Sequence, residues 1–377
     1  MRILHLPHAS SVSAFALSGN PRITRVIFRA EPGTSIPRTT LPAMQESKLH
    51  DLIFERSAQL SRRFPYVRTG PGDDCAVVDI PSPNGPSARC LLTVDHLVEG
   101  RHFDRLGPSP GPDVLEAVAR KAIARSVSDI AAMGGTPHAS LATACLPSGF
   151  PQATADALFD KMHRWAEHWH APLVGGDLAT FGDTGPGHGA SNATPIVLTV
   201  TLLGIPHPRR GPILRSTARP GDLVYVTGKL GGSLASRRHL TFEPRTTEGL
   251  WIADQLADYA ARTPADRAAT SAVGAMLDLS DGLGRDGARL ARASHARLEL
   301  DAASLPTHEG RSWREAMSDG EDYELLFTAP PDLPLPLSTP NSTPITRIGR
   351  VVAGEGCSVR LPDGTSLDAA AMGWEHE

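Results

Sequence analysis

At 377 residues, with 37 basic against 41 acidic side chains, a formal net charge of −4 and 40% hydrophobic content, the chain is long enough for two cores and has no basic surplus that would argue for nucleic acid. No run approaches the ~18 to 20 apolar residues of a membrane span, and the longest, PIVLTVTLLGI at 195–205, has the length of a buried strand. The four cysteines (Cys75, Cys90, Cys145, Cys357) lie far apart without a C-x-x-C pair, which suits reduced thiols in a cytoplasm rather than a disulfide framework or a zinc knuckle.

Residues 1–43 hold five arginines, one acid (Glu31) and scattered serines and prolines without periodicity. This composition resembles a transit peptide but lacks the continuous apolar region of a secretion signal, so a floppy extension or a start placed too early is expected there. Folded protein is expected from Met44, where Leu49, Ile53 and Leu60 follow helical spacing. Strand-like runs follow at 75–80, 90–98, 140–147, 172–177 and 195–205, with helical patterns over 112–133 and 151–169 between them. A second series comprises DLVYVTG, a helix from about 231, a helical stretch at 247–262, AMLDLSD, a helix at 283–294, ARLELDAASLP, YELLFTAP and TRIGRVV. Alternating strands and helices predict an α/β (α+β) protein. The proline-, glycine- and arginine-rich stretch near 206–222 divides it into 44–206 and 207–377, and FGDTGPGHGASNATP at 181–195 reads as a long exposed loop.

The distribution of aspartates carries the functional signal. Asp73 and Asp74 precede CAVV, Asp95 interrupts LLTVDHLV, Asp129 sits in ARSVSDIAAMGG, Asp177 ends LVGGD, and Asp278 and Asp281 flank Ser280 in LDLSDGLG. Taken singly they have ordinary readings: Asp281 as a helix N-cap, Asp129 as half of a surface ion pair with Arg125, Asp73 closing a glycine turn. Together, carboxylates at the ends of separate strands would converge in one cleft. At ~4 Å and an effective dielectric near 20, each like-charged pair then costs on the order of 4 kcal/mol. Hard divalent cations relieve such repulsion, and an all-oxygen set without His or Cys favours magnesium, with manganese as a substitute, over zinc. Magnesium held by carboxylates keeps positions for water and phosphate oxygens, so nucleotide or phosphoryl chemistry is expected. No Walker-type loop is present; GLGRDG at 282–287 matches a dinucleotide pattern only formally, and the spacing of His163, His168 and His170 does not suit a zinc site.

The motifs GPGDDCAVV, TVDHLVEGRHF, SVSDIAAMGGTP, LVGGD, DLVYVTGKLGG, LDLSDGLGRD and GEDYELLFT occur in the order seen in thiamine-monophosphate kinases. From Met44 onward the chain resembles that family, part of the ATP-binding superfamily that also holds aminoimidazole ribonucleotide synthetase and selenophosphate synthetase. The resemblance implies ATP-dependent phosphorylation of thiamine phosphate to thiamine diphosphate with several magnesium ions. It also implies a homodimer joined across N-terminal strands, an N-terminal mixed sheet with helices, a C-terminal α/β domain, and nucleotide between the domains. By motif, Asp74, Thr93, Asp95, Asp129, Asp177, Asp278 and Asp281 would be metal ligands, with at most the main-chain carbonyl of Val94. Gly176, Asp177, Arg215 and Ser280 would touch ATP, and His102 and Glu321 would face thiamine phosphate. No residue is assigned as a covalent nucleophile.

Two positions depart from the family pattern. Val94 stands where a hydroxyl residue is common, and the tail reads GWEHE, with Trp374 kept, Ala371 in place of an upstream aromatic and an acid in place of the final Phe. Trp374 is therefore the candidate to stack on the pyrimidine. The competing readings are another ATP-using enzyme of the superfamily, or a dimer that binds ATP and thiamine phosphate without turnover.

Overall fold

The computed structural model describes residues 46–57, 59–83, 85–106, 110–181, 194–263 and 273–374. The extension 1–43 and residues 182–193 of the 181–195 loop, both singled out from sequence, lie outside the described residues. Helix α1 (Glu46–Ser57) and the single turn α2 (Leu60–Arg63) lead into β1 (Val67–Thr69), β2 (Ala76–Ile80) and β3 (Ala88–Val98). Then come α3 (Pro112–Ala132), β4 (Thr136–Leu146), α4 (Gln152–His168), β5 (Leu173–Thr180) and β6 (Val197–Ile205). The six strands form one sheet in the order β1-β2-β3-β6-β4-β5. All neighbours are antiparallel except β4 and β5, whose parallel pairing requires the crossover that α4 provides.

Side chains that alternate along each strand sort onto two faces of the sheet. In β6, Leu198, Val200 and Leu202 are buried on the helix side. On the outward side Leu92, Val94, Leu141 and Ile205 remain exposed.

Helix α3 is the central element. From Val118 to Ala132 every residue is buried or half-buried, because the helix packs on β3, β6 and α4 of one half and on elements of the other. Alanines at 119, 122, 124, 131 and 132 keep it slim enough for that position.

The second half comprises β7 (Leu223–Thr227), α5 (Ser233–Ser236), α6 (Thr246–Arg262), β8 (Met276–Asp278), α7 (Leu283–Ala293), β9 (Arg297–Asp301), α8 (Trp313–Ser318), β10 (Leu325–Ala329), β11 (Ile345–Val352), β12 (Gly356–Arg360) and β13 (Ser366–Asp368). These strands form a sheet in the order β13-β12-β9-β11-β7-β10-β8. Strand β10 is buried along its whole length: Leu326 joins a core with Leu283 and Leu290 of α7, and Leu325 and Phe327 join one with Ile252 and Leu256 of α6. Burial on both faces explains why consecutive residues, Leu325, Leu326 and Phe327, are apolar. Gly249 lets α6 approach α3, since a Cβ there would collide with the carbonyl of Ala131. The architecture is the expected α/β class.

Local departures from the sequence reading have physical causes. The helix expected from about 231 is the single turn α5, stopped where Arg237 adopts a left-handed φ of 61°. Helix α8, not expected from periodicity, is short and nucleated by a capping box between Ser312 and Glu315.

Candidate active site

Three carboxylates arrive from three elements. Asp74 lies in the turn before β2, Asp129 in the last turn of α3 and Asp278 at the end of β8, and one oxygen from each lies within 4.8 Å of the other two. Neighbouring positions on α3 serve both halves: the Ser128 hydroxyl donates to Asp278 at 2.5 Å, while Asp129 accepts from the Thr93 hydroxyl of β3. Burial and then Asp74 push Asp278 up to about 8. Burial, with Asp95 and Asp278 adding repulsion, holds Asp129 well above the usual carboxylate range. Such groups ionise together only if cationic charge is brought to them, and an all-oxygen donor set at this spacing fits a hard divalent ion.

The acids that sequence left without obvious partners find arginines, that of Asp74 far along the chain and that of Asp281 on the following helix. Arg215 forks onto Asp74 (Nε to Oδ2 3.1 Å, Nη2 to Oδ1 2.5 Å), and its backbone N–H donates to Asp73. Burial and then Asp74 push Asp73 up to about 7 despite Arg215. Asp281 pairs with Arg289 at 2.5 Å and is not an N-cap, that position being Gly282. Arg125 reaches Asp95 at 3.3 Å rather than Asp129.

Asp177 does not join the cluster within the chain. It sits on β5 opposite Thr143, hence on the outward face, and β5 is three strands from β3, about 14 Å at normal strand spacing. The Val94 side chain also points outward, 59% exposed, away from Thr93 and Asp95 on either side of it. Gly176 has a structural reason to be glycine, since a Cβ there would collide with the carbonyl of Ala142 on β4.

A second polar group assembles two turns back along α3. Lys121, fully buried, donates to both oxygens of Glu321 (2.7 and 2.8 Å) and to the carbonyl of His102 (2.8 Å), joining three separate segments. Burial pushes its ammonium down to about 8 against the pull of Glu321. The His102 ring is oriented by the backbone N–H of Val98, which donates to Nδ1 at 2.9 Å. Glu321 and Tyr323 both have left-handed backbones (φ 61° and 52°), a strained arrangement that alternate residues seldom share. It is anchored by the Glu321 N–H donating to the Ser280 carbonyl (2.7 Å), by Asp319 and Asp322 accepting from the backbones of Gly232 and Gly231, and by stacking of Tyr323 on Phe242. Glu321 is thus held by a buried ammonium rather than left to solvent. The backbone of Trp374 donates to the Asp281 carbonyl at 2.8 Å, and its ring is half-exposed.

Sequence reasoning passed over Lys121 and Tyr323 and gave Arg125 only as a surface partner for Asp129. The available signal was a lysine and an arginine one turn apart in VARKAIARSVSDIAA, a helix whose other positions between Val118 and Ala132 are almost all apolar or small.

The AIR synthase related protein, N-terminal domain family matches residues 72–206, the stretch holding Asp74, Asp129 and Lys121. Thiamine-monophosphate kinase of Rhodopirellula baltica is 35% identical over 315 residues, covering 80% of this chain and 89% of the relative. The Escherichia coli thiamine-monophosphate kinase is 32% identical over 348 residues, with 82% and 92% covered. Among solved structures, AaThiL complexed with AMPPCP and TMP superposes with a TM-score of 0.64 at 28% identity, covering 90% of this chain and 100% of that one. The Aquifex aeolicus thiamine monophosphate kinase superposes at 0.59 and 26% identity, covering 86% and 99%. Identities of 32% and 35% over about four fifths of the chain mean that it belongs to the thiamine-monophosphate kinase family.

Proposed function

We propose that the chain transfers the γ-phosphoryl group of ATP to thiamine phosphate, forming thiamine diphosphate and ADP directly, without a phosphoenzyme. A phosphate oxygen of the acceptor forms the new bond to the γ-phosphorus as the bond to the bridging oxygen of ADP breaks, and that electron pair leaves with ADP. The second ionisation of a phosphate monoester lies near pH ~6, so the attacking oxygen is already anionic at neutral pH and no general base is required.

Donor and acceptor are both polyanions, and magnesium, when bound, supplies the charge that offsets their repulsion and the charge of a loose transition state. Asp74, Asp129 and Asp278 would hold it, with Asp95, Thr93 and Asp281 nearby. Lys121 holds Glu321 where its carboxylate would face the cationic thiazolium of the acceptor. The buried ammonium cannot turn away, so the carboxylate is pre-oriented.

The observation that carries this reading is the arrangement along α3. Asp129 and Lys121 are eight residues apart on one helix, about 12 Å by helical rise. The acid cluster and the Glu321–His102 pair therefore lie at opposite ends of one line of polar side chains. On this reading 44–206 supplies metal binding and dimerisation, and 207–377 completes the site.

The proposal includes a homodimer through the outward face of the first sheet. The apolar side chains of Val94 and Leu141, 59% and 45% exposed, flank Thr201 in one row of that face, and Leu92 and Ile205 on it are exposed too, an apolar patch that marks an interaction surface. A second copy there would cover them and would bring Gly176 and Asp177 against a neighbouring subunit.

ADP release measured with magnesium titrated tests the activity. Release that requires both thiamine phosphate and magnesium is expected. Binding of both ligands without ADP release would replace the enzyme by a sensor, and a radiolabelled phosphoprotein trapped from labelled ATP would overturn direct transfer.

A further inference from the structure

Between the acid cluster and Glu321 lie two polar side chains that neither group explains. Nε and Nη1 of Arg125 and the hydroxyl of Tyr323 are shielded from solvent and have no hydrogen-bond partner among the described residues. Buried polar groups left unmade cost stability, and such groups in a native site are often completed by a ligand. We infer that Arg125 and Tyr323 form the cradle that binds the phosphate of the acceptor, an inference that rests on the phosphoryl-transfer reading above and deepens it.

Position supports this first. Arg125 is one helical turn from Lys121, which holds Glu321, and one turn from Asp129 in the acid cluster. It therefore stands where an acceptor with its cationic ring at Glu321 would extend its phosphate toward the donor. The carboxylates of Asp95, Glu321 and Asp129, which belong to the two ends of that line of polar side chains, all act on its charge.

The manner of its pairing supports it second. An arginine present only to offset a carboxylate presents its fork, as Arg215 does to Asp74 with two nitrogens at 3.1 and 2.5 Å. Arg125 offers Asp95 a single nitrogen at 3.3 Å and keeps the others unspent. Ser126 adds a hydroxyl to Asp95 at 3.2 Å, so that carboxylate does not depend on Arg125 alone.

Donor chemistry is third. A guanidinium carries planar donors that match phosphate oxygens, and the other nearby cation, Lys121, is committed to Glu321. Tyr323 is a preset donor, because its ring is stacked on Phe242 at 3.8 Å and 11° and its backbone is held at a φ of 52°.

The test is a calorimetric comparison of thiamine phosphate and unphosphorylated thiamine binding to the full chain with magnesium, for wild type, Arg125→Met and Tyr323→Phe. Wild type should prefer thiamine phosphate. Arg125→Met should shrink that preference by about 10- to 100-fold and Tyr323→Phe by about 3- to 10-fold, the range for losing charged and neutral hydrogen bonds. Affinity for thiamine itself and for a non-hydrolysable ATP analogue should stay within about 3-fold of wild type, a pattern that general loss of structure does not produce. If Arg125→Met does not fold, Tyr323→Phe, which keeps the stacked ring, decides alone. An unchanged preference in the variants that fold overturns the inference while leaving the kinase reading intact. A wild type that binds neither compound overturns both.

Discussion

Replacing Asp278 by Asn removes one of three converging carboxylates that repel one another, and should stabilise the metal-free protein while disabling it. The wild-type carboxyl is raised from 3.8 to about 8, by burial first and Asp74 second. The folded state therefore binds this proton more tightly than the unfolded chain does, so stability falls as pH rises from about 4 and the loss is complete once the group ionises above about 8. At 1.36 kcal/mol per pH unit, the penalty in metal-free wild type is on the order of 5 kcal/mol at pH ~9 and about 1–2 kcal/mol at pH ~5. Asn keeps the shape and a partner for the Ser128 hydroxyl without the charge. In EDTA, Asp278→Asn should thus melt roughly 5–10 °C above wild type near pH ~9 and much closer to it near pH ~5. Magnesium should raise the wild-type midpoint and raise that of the variant less, and ADP release should fall at least ~100-fold. Differential scanning fluorimetry across pH, with and without magnesium, measures all but the last. A variant no more heat-stable than wild type at high pH, or stabilised equally at both pH values, would refute the view that these acids are held together against their mutual repulsion.

Lys121→Met leaves Glu321 and the His102 carbonyl without their buried partner and should cost ~3–5 kcal/mol in urea unfolding. Adding Glu321→Gln should recover part of this loss, and strict additivity would mean the pair is not coupled. Asp177→Asn should lower thiamine-phosphate-dependent turnover ~100-fold with an unchanged melting curve; a wild-type rate would remove Asp177 from the site. Leu141→Asp places a charge on the outward face of the first sheet and should convert the proposed dimer to monomer in sedimentation velocity, a dimer of unchanged mass disposing of that interface. Gly249→Ala drives a methyl into the carbonyl of Ala131 where α6 crosses α3, and should lower stability by ~1–3 kcal/mol in urea.

Much of the site was legible because the cost of an unpaired carboxylate in apolar surroundings is a local property. Asp74, Asp129 and Asp278 each lie within or beside an apolar run, and that alone marks them as requiring compensation. The residues that compensate are not local. Arg215 lies 141 residues from Asp74, and Lys121 lies 200 residues from Glu321. Nothing in a linear reading connects such pairs, and a lysine inside an alanine-rich helix looks like an exposed one until the second sheet covers it.

The sequence by itself determined most of the strands and the longer helices, because apolar runs bounded by turn residues and apolar positions at helical spacing are local features. It also determined the family and the hard, oxygen-rich chemistry of the acids. The tertiary structure decided which acids meet. Strand order carries Asp177 to an edge strand and to the face opposite Asp129, while burial of α3 on every side brings Ser128 and Asp129 against opposite halves of the molecule and lines up Lys121, Arg125 and Asp129 along one polar track. Convergence of that kind depends on pairings between segments a hundred or more residues apart, and only the packed core specifies them.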